Sequence, residues 1–188
     1  ASVCYIGKRY GLACADHTTG EFTVSEFPDK MQLEDELKRL SPSEIIIPDD
    51  QINQLGGIAH CMPYDGYAYI PEQAEHQLKQ QFKVQSFDGF GCAEMTAATS
   101  AAGAILHYLI YQLRRSCDHL LKLSVRDNNE FVMIDSASQG NLDLVDSRSG
   151  KKHTLLHALD RTATPMGARK LRDWILHPLR DLDSIVAR

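Results

Sequence analysis

"SVCYIGKRYGLACADHTTGEFTVSEF", residues 2–27, holds three short runs rich in β-branched, aromatic and small apolar residues. They are SVCYIG (2–7), GLACADH (11–17) and EFTVSEF (21–27), parted by KRY and by TTG, where Gly20 can take the positive φ of a tight turn. Runs this short and this close pair with their chain neighbours, so the stretch predicts an antiparallel three-stranded meander.

Downstream, DKMQLEDELKRL places Met31, Leu33, Leu37 and Leu40 near helical spacing, and SPSE stops that helix before the buried strand IIIP at 45–48. Pro71 sits where a first helical turn tolerates it, so PEQAEHQLKQQF predicts a helix leading to a further strand, VQSF, at 84–87. The most apolar run, MTAATSAAGAILHYLIYQL at 95–113, approaches membrane-spanning length. It carries Thr96, Thr99, Ser100 and His107 and runs into Arg114 and Arg115, which predicts a buried helix of a soluble domain and no membrane contact. The order β-β-β-α-β-α-β-α predicts an α/β domain over 1–113, a mixed sheet with helices on its faces in the ribonuclease-H-like arrangement.

Past residue 113 the pattern turns mainly α. RRSCDHLLKL continues or restarts helix, EFVMID and NLDLV read as short strands around the turn-prone SASQG, and TLLHALD resumes helix. In DLDSIVAR, Asp183 is placed to cap a helix whose apolar positions have only begun when the sequence stops, which reads as a fragment. A second domain is therefore expected over 120–188.

The charge divides the same way. Residues 1–113 carry 7 Lys+Arg against 15 Asp+Glu, residues 114–188 carry 13 against 10, and the whole chain is at −5. An acidic first half gives no electrostatic reason to coat a polyanion. Five scattered cysteines without a CxxC spacing suit a reducing compartment better than a disulfide framework.

A ribonuclease-H-like nuclease needs carboxylates converging on two divalent metals. The candidates are Asp16, Asp49, Asp50, Asp88 and Glu94, yet the first β-run holds no acid, so the anchor of that geometry is missing. His60-Cys61 points to opposite faces of an extended chain and reads as a loop pair. Gly89 and Gly91 lack a GxGxxG or Walker context and read as a turn into a helix. Tyr64, Tyr67 and Tyr69 could stack bases, but no cation lies between 40 and 78, and a packed or rim-exposed loop fits them better. No catalytic, cofactor-binding or metal-ligating residue is assigned.

The densest cationic stretch is TATPMGARKLRDWILHPLRD, 162–181. Thr164 can cap a helix with Pro165 at its first position, and Pro178 ends it. On a helical wheel Gly167, Ala168, Leu171, Trp174 and Ile175 share one side, with Arg169, Arg172 and Asp173 turned away. This predicts a packed scaffold helix with Trp174 in a core, and Gly167 admitting a neighbouring backbone. A recognition helix would instead present several cations on one exposed face.

The extended segment LDRTATPMGARKLRDWILHPLRD resembles the start of the core domain of the MutS family of DNA mismatch-repair ATPases, whose pattern LDxTxTxMGxRxLRxWLxxPLxD it follows. Asp160, Thr162, Thr164, Met166, Gly167, Arg169, Leu171, Arg172, Trp174, Pro178, Leu179 and Asp181 match it one by one. GLACADHTTGEFTVSEF resembles the family's connector meander, ELKRLSPSEIII its helix-to-strand passage, and GFG…AAGAILHYL its closing helix. Where the family writes TRRNLEL, this chain has SQGNLDL at 138–144, without the two arginines. The resemblance implies a catalytically silent, ribonuclease-H-like connector over 1–113, followed by the beginning of a helical core (lever) domain. It further implies a parent that is a cytoplasmic homodimer, binds mismatched duplex DNA, docks MutL, and uses ATP and Mg²⁺ in an ATPase domain outside this chain.

Overall fold

The computed structural model describes residues 1–55, 57–58, 60–126 and 130–187. Strands β1 (Ser2–Ile6), β2 (Arg9–Asp16) and β3 (Glu21–Phe27) form the expected meander, with Val3 opposite Leu12 and Leu12 opposite Ser25. Helix α1 (Lys30–Leu40) leads to β4 (Ile45–Pro48), the single turn α2 (Ile52–Leu55) and β5 (Cys61–Tyr64). Helix α3 (Pro71–Phe82) starts on Pro71, and α4 (Thr96–His107) passes into a π-helical turn over Tyr108–Gln112. After β6 (Ser124–Val125) come α5 (Ser136–Asn141), α6 (Leu155–Leu159), α7 (Pro165–Leu176) and α8 (Leu182–Ala187). Among the described residues no helix is long and apolar enough to cross a membrane.

The six strands make one mixed sheet in the order β5-β4-β1-β2-β3-β6. The meander is antiparallel, while β1–β4, β4–β5 and β3–β6 are parallel. Two compact units result: Ala1–Glu34 with Ser41–Arg126, and Asp35–Leu40 with Asp127–Arg188.

The first unit is built on α4, whose Ala97, Ala98, Ala101, Ala102 and Ala104 are all buried. Small side chains bring the helix close to β1 and β2, and α3 packs on it in turn. Two glycines set the separations: a Cβ on Gly11 would stand 2.1 Å from the Ala97 carbonyl oxygen, and one on Gly103 would stand 2.4 Å from the Ala74 Cα. The amino end of α4 is served from β3, where Glu26 Oε1 accepts from the amides of Ala97 (2.8 Å) and Ala98 (3.1 Å). A carboxylate there satisfies two orphan donors and complements the helix dipole.

Four sequence expectations are corrected. VQSF at 84–87 is not a strand: Lys83 ends α3 in the left-handed region, and Phe87 stacks edge-on to Phe90 at a centroid distance of 5.7 Å, with Phe90 in turn 5.6 Å from Phe82. The fifth strand is CMPY at 61–64, where the His60-Cys61 pair and Tyr64 were expected in loop; Pro63 is tolerated because on the outermost strand a missing N–H leaves no ladder bond unmade. RRSCDHLLKL is irregular instead of helical, with Cys117, Leu120 and Leu123 buried as it carries the chain to β6. SASQG is part of helix α5, because the Asp135 carboxylate accepts from the amide (2.9 Å) and hydroxyl (2.8 Å) of Ser138; its flanking runs contribute only an isolated Phe131–Leu179 bridge.

Candidate functional site

Three of the candidate acids, Asp16, Asp49 and Asp88, serve local turns. Asp16 Oδ1 accepts from Thr18 N (2.8 Å), Thr18 Oγ1 (2.6 Å) and Thr19 N (3.3 Å), closing the β2–β3 turn. Asp49 Oδ1 accepts from the amides of Asp50 (3.0 Å) and Gly66 (3.1 Å), Asp88 Oδ2 accepts from Ser86 Oγ (2.9 Å), and Glu94 is exposed before α4. Among the described residues no three His, Cys, Asp or Glu side chains gather to hold a metal ion. Cys61 opens β5, and Gly91 closes a 3₁₀ turn at φ 71°. Tyr64 lies 2.7 Å from His107 Nδ1, Tyr69 is buried against Ser2, and Tyr67 is exposed. Burial, with Glu26 nearby, pushes the Cys4 thiol well above its ordinary range, so it sits protonated beside the Ala97 carbonyl (3.2 Å).

The 160–181 segment is more elaborate. Asp160 Oδ1 accepts from Thr162 Oγ1 (2.7 Å) and Thr162 N (2.9 Å), and these bonds hold its carboxyl below the usual range. Thr164 Oγ1 then accepts from Gly167 N (3.1 Å), capping α7 with Pro165 at its first position. A Cβ on Gly167 would meet Thr162 and Thr164 side-chain atoms at 3.3 Å, so its smallness serves this local turn and not a neighbouring helix. Asp181 Oδ2, rather than Asp183, caps α8 by accepting from the amide and hydroxyl of Ser184 (both 2.9 Å), which lowers its carboxyl as well.

Trp174 does not occupy a core: it is 42 % exposed, while Leu176 is at 1 % and His177 at 2 %. Helix α7 is rotated from the expected orientation, with the side bearing Asp173, Leu176 and His177 turned inward. The cause is a set of polar partners on the last turns of α1, within the same compact unit. There Glu36 (0 %) and Arg39 (2 %) stand one turn apart, and Arg39 Nη2 donates to Glu36 Oε2. Two buried charges are costly unless they meet each other and further partners. His177 supplies one, with Nε2 3.5 Å from Glu36 Oε1 and Nδ1 2.9 Å from Asp173 Oδ1, its ring edge-on to Phe131 at 5.6 Å. Arg172 Nη1 donates to the Arg39 carbonyl (3.0 Å) at the carboxyl end of α1, where cations are favoured. Lys170 reaches Asp173 at 3.2 Å. Phe131 and Leu179 bridge, Val132 N donates to Pro178 O (2.8 Å), and Arg180 N donates to Glu130 O (3.0 Å), which fixes the chain after the helix.

Of the motif residues, Asp160, Thr162 and Thr164 are thus joined at the start of α7, and Arg172 faces α1. Leu171 and Pro178 are half-buried, and Met166 and Arg169 are exposed. Glu36, Arg39 and His177 were not singled out from the sequence. A signal existed, since Glu36 falls on the same helical stripe as Leu33, Leu37 and Leu40.

Two successive domain models match in this order: residues 1–121 fit MutS domain II and residues 137–188 fit MutS domain III. The chain belongs to the MutS family. The DNA mismatch repair protein MutS of Syntrophobacter fumaroxidans (strain DSM 10017 / MPOB) is 38 % identical over 188 residues, covering 95 % of this chain and 21 % of that protein. Its counterpart in Protochlamydia amoebophila (strain UWE25) is 36 % identical over 200 residues, covering all of this chain and 23 % of that one. In Thermosynechococcus vestitus (strain NIES-2133 / IAM M-273 / BP-1) the figures are 35 % over 211 residues, with 24 % of the relative covered. The chain therefore spans 21 to 24 % of the length of these MutS relatives.

Proposed function

We propose that this MutS chain is a coupling piece, a connector followed by the beginning of the lever-bearing core, which passes conformational change between mismatch-binding and ATPase domains. The observation that carries this reading is the collinear fit of domains II and III to successive stretches of the chain. The sheet order β5-β4-β1-β2-β3 supports a ribonuclease-H-like connector, and the use of Asp16, Asp49 and Asp88 as turn acceptors supports a catalytically silent one. The scaffold residues Asp160, Thr162, Thr164 and Arg172 would give the core a fixed entry helix. Mismatched duplex DNA, ATP with Mg²⁺, homodimer formation and a cytoplasmic setting belong, on this reading, to the intact parent. The acidic connector would dock MutL.

Surface-immobilised 188-residue chain should bind MutL of a MutS relative saturably, and should neither hydrolyse ATP nor cut DNA with Mg²⁺ or Mn²⁺. Absence of MutL binding would remove the docking role. Cleavage that disappears in Asp16→Asn would replace the coupling role with a metal nuclease.

A further inference from the structure

Part of the cationic set of this chain is held by partners among the described residues. Lys30, Lys38, Arg39, Lys79, Arg126 and Lys170 each meet a carboxylate, while Arg172 is spent on a backbone carbonyl. One loop differs. In SRSGKKHTLLHAL, residues 147–159, there are three full cations, two histidines and no acid. Arg148, Lys151, Lys152, His153 and His157 are all exposed, and among the described residues Arg148, Lys151 and Lys152 enter no ion pair. Asp146, the nearest acid in sequence, lines a cavity of about 390 Å³ with Arg148 without pairing to it. The loop also has a defined form. Ser149 N donates to Ser147 Oγ (3.1 Å), Gly150 takes φ 101°, and Lys151–His153 make a 3₁₀ turn held by His153 N to Gly150 O (3.0 Å) and Thr154 Oγ1 to Lys151 O (2.9 Å).

From this unpaired charge on a braced turn we infer that the 148–153 loop is a contact for the phosphate backbone of duplex DNA. Its chemistry favours a polyanion over a protein surface. Protein interfaces gain most of their energy from buried apolar and aromatic anchors, and residues 146–154 contain none. Unpaired Lys and Arg on a polar turn suit phosphate, where binding comes from release of condensed counterions. Such contacts carry no sequence information, so this loop would hold DNA without reading a mismatch. Elsewhere in the second unit, Arg172 is committed to the end of α1. The inference is independent of MutL docking, whose failure would leave it untouched.

The test is fluorescence anisotropy of a labelled duplex with the 188-residue chain at several salt concentrations. Three phosphate contacts predict an affinity that falls about 40-fold between roughly 50 and 200 mM salt, equally for paired and mismatched duplexes. R148Q/K151Q/K152Q should bind weakly with an almost flat salt response and an unchanged melting curve, since the side chains are exposed. K8Q/R9Q/K83Q, which removes equal charge from exposed positions of the first unit, should keep the steep response. The inference is overturned if the unaltered chain shows no salt-steep binding, or if the loop variant keeps it. It also fails if the first-unit variant loses as much, leaving net charge alone as the cause, or if poly-glutamate is bound as tightly as the duplex.

Discussion

The two compact units hold themselves together by different means. In the first, a sheet and an alanine-rich helix bury Val3, Phe22, Val24, Ile46 and Leu106 around spacings that two glycines enforce. In the second, Leu176 and Leu144 are buried, yet Met133, Leu142, Leu159, Met166 and Val186 are exposed. Order there is carried by Glu36, Arg39, Asp173 and His177 and by caps at Asp135, Asp160, Thr164 and Asp181. Apolar packing tolerates modest repacking, whereas a buried charge set depends on each of its members. The first unit should therefore fail gradually and the second abruptly.

The largest break is expected from Glu36→Ala, which strands Arg39 in the interior; unfolding of the second unit should become easier by about 3–5 kcal/mol, measured by chemical denaturation. Leu176→Ala against Trp174→Ala sharpens the account of how α7 is rotated. The first should cost about 3 kcal/mol and the second only about 1–2 kcal/mol, and the reverse ranking would place the tryptophan inside after all. In the first unit Gly103→Ala should cost about 2 kcal/mol, because α3 must back away from α4, with hydrogen exchange accelerating in those two helices. The smallest effect is that of acid. Asp135, Asp160 and Asp181 have carboxyls lowered by amide and hydroxyl donors, so their contribution is present above the ordinary carboxylate pKa and is lost as pH falls through the lowered values. The second unit should accordingly lose melting temperature as pH falls below about 4.

Legibility followed the range of the deciding interaction. The meander, α1, α3 and the cap at Thr164 were readable because turn chemistry, a proline at a first turn and helical spacing are local. Strands β5 and β6 were not, since each exists only through a parallel partner distant in sequence, Ile45–Pro48 for one and Val24 for the other. The rotation of α7 escaped a hydrophobic wheel for a related reason: the wheel scores Asp173 and Arg172 as outward, and only a buried acid and a waiting carbonyl on another helix reverse that. Metal chemistry was set aside on the first β-run's lack of an acid, and the local roles of Asp16, Asp49 and Asp88 as acceptors from nearby amides and a hydroxyl could not be read from spacing alone.

The rims of the sheet have a consequence for handling the protein. One rim carries Pro63 opposite Ile47, and the other is sealed by two residues of β6 laid on Thr23 and Val24. Strand addition by a foreign or identical chain is thereby discouraged on both sides. A truncation that stopped short of Ser124 would unseal β3, and such a shortened chain would be expected to self-associate as it is concentrated.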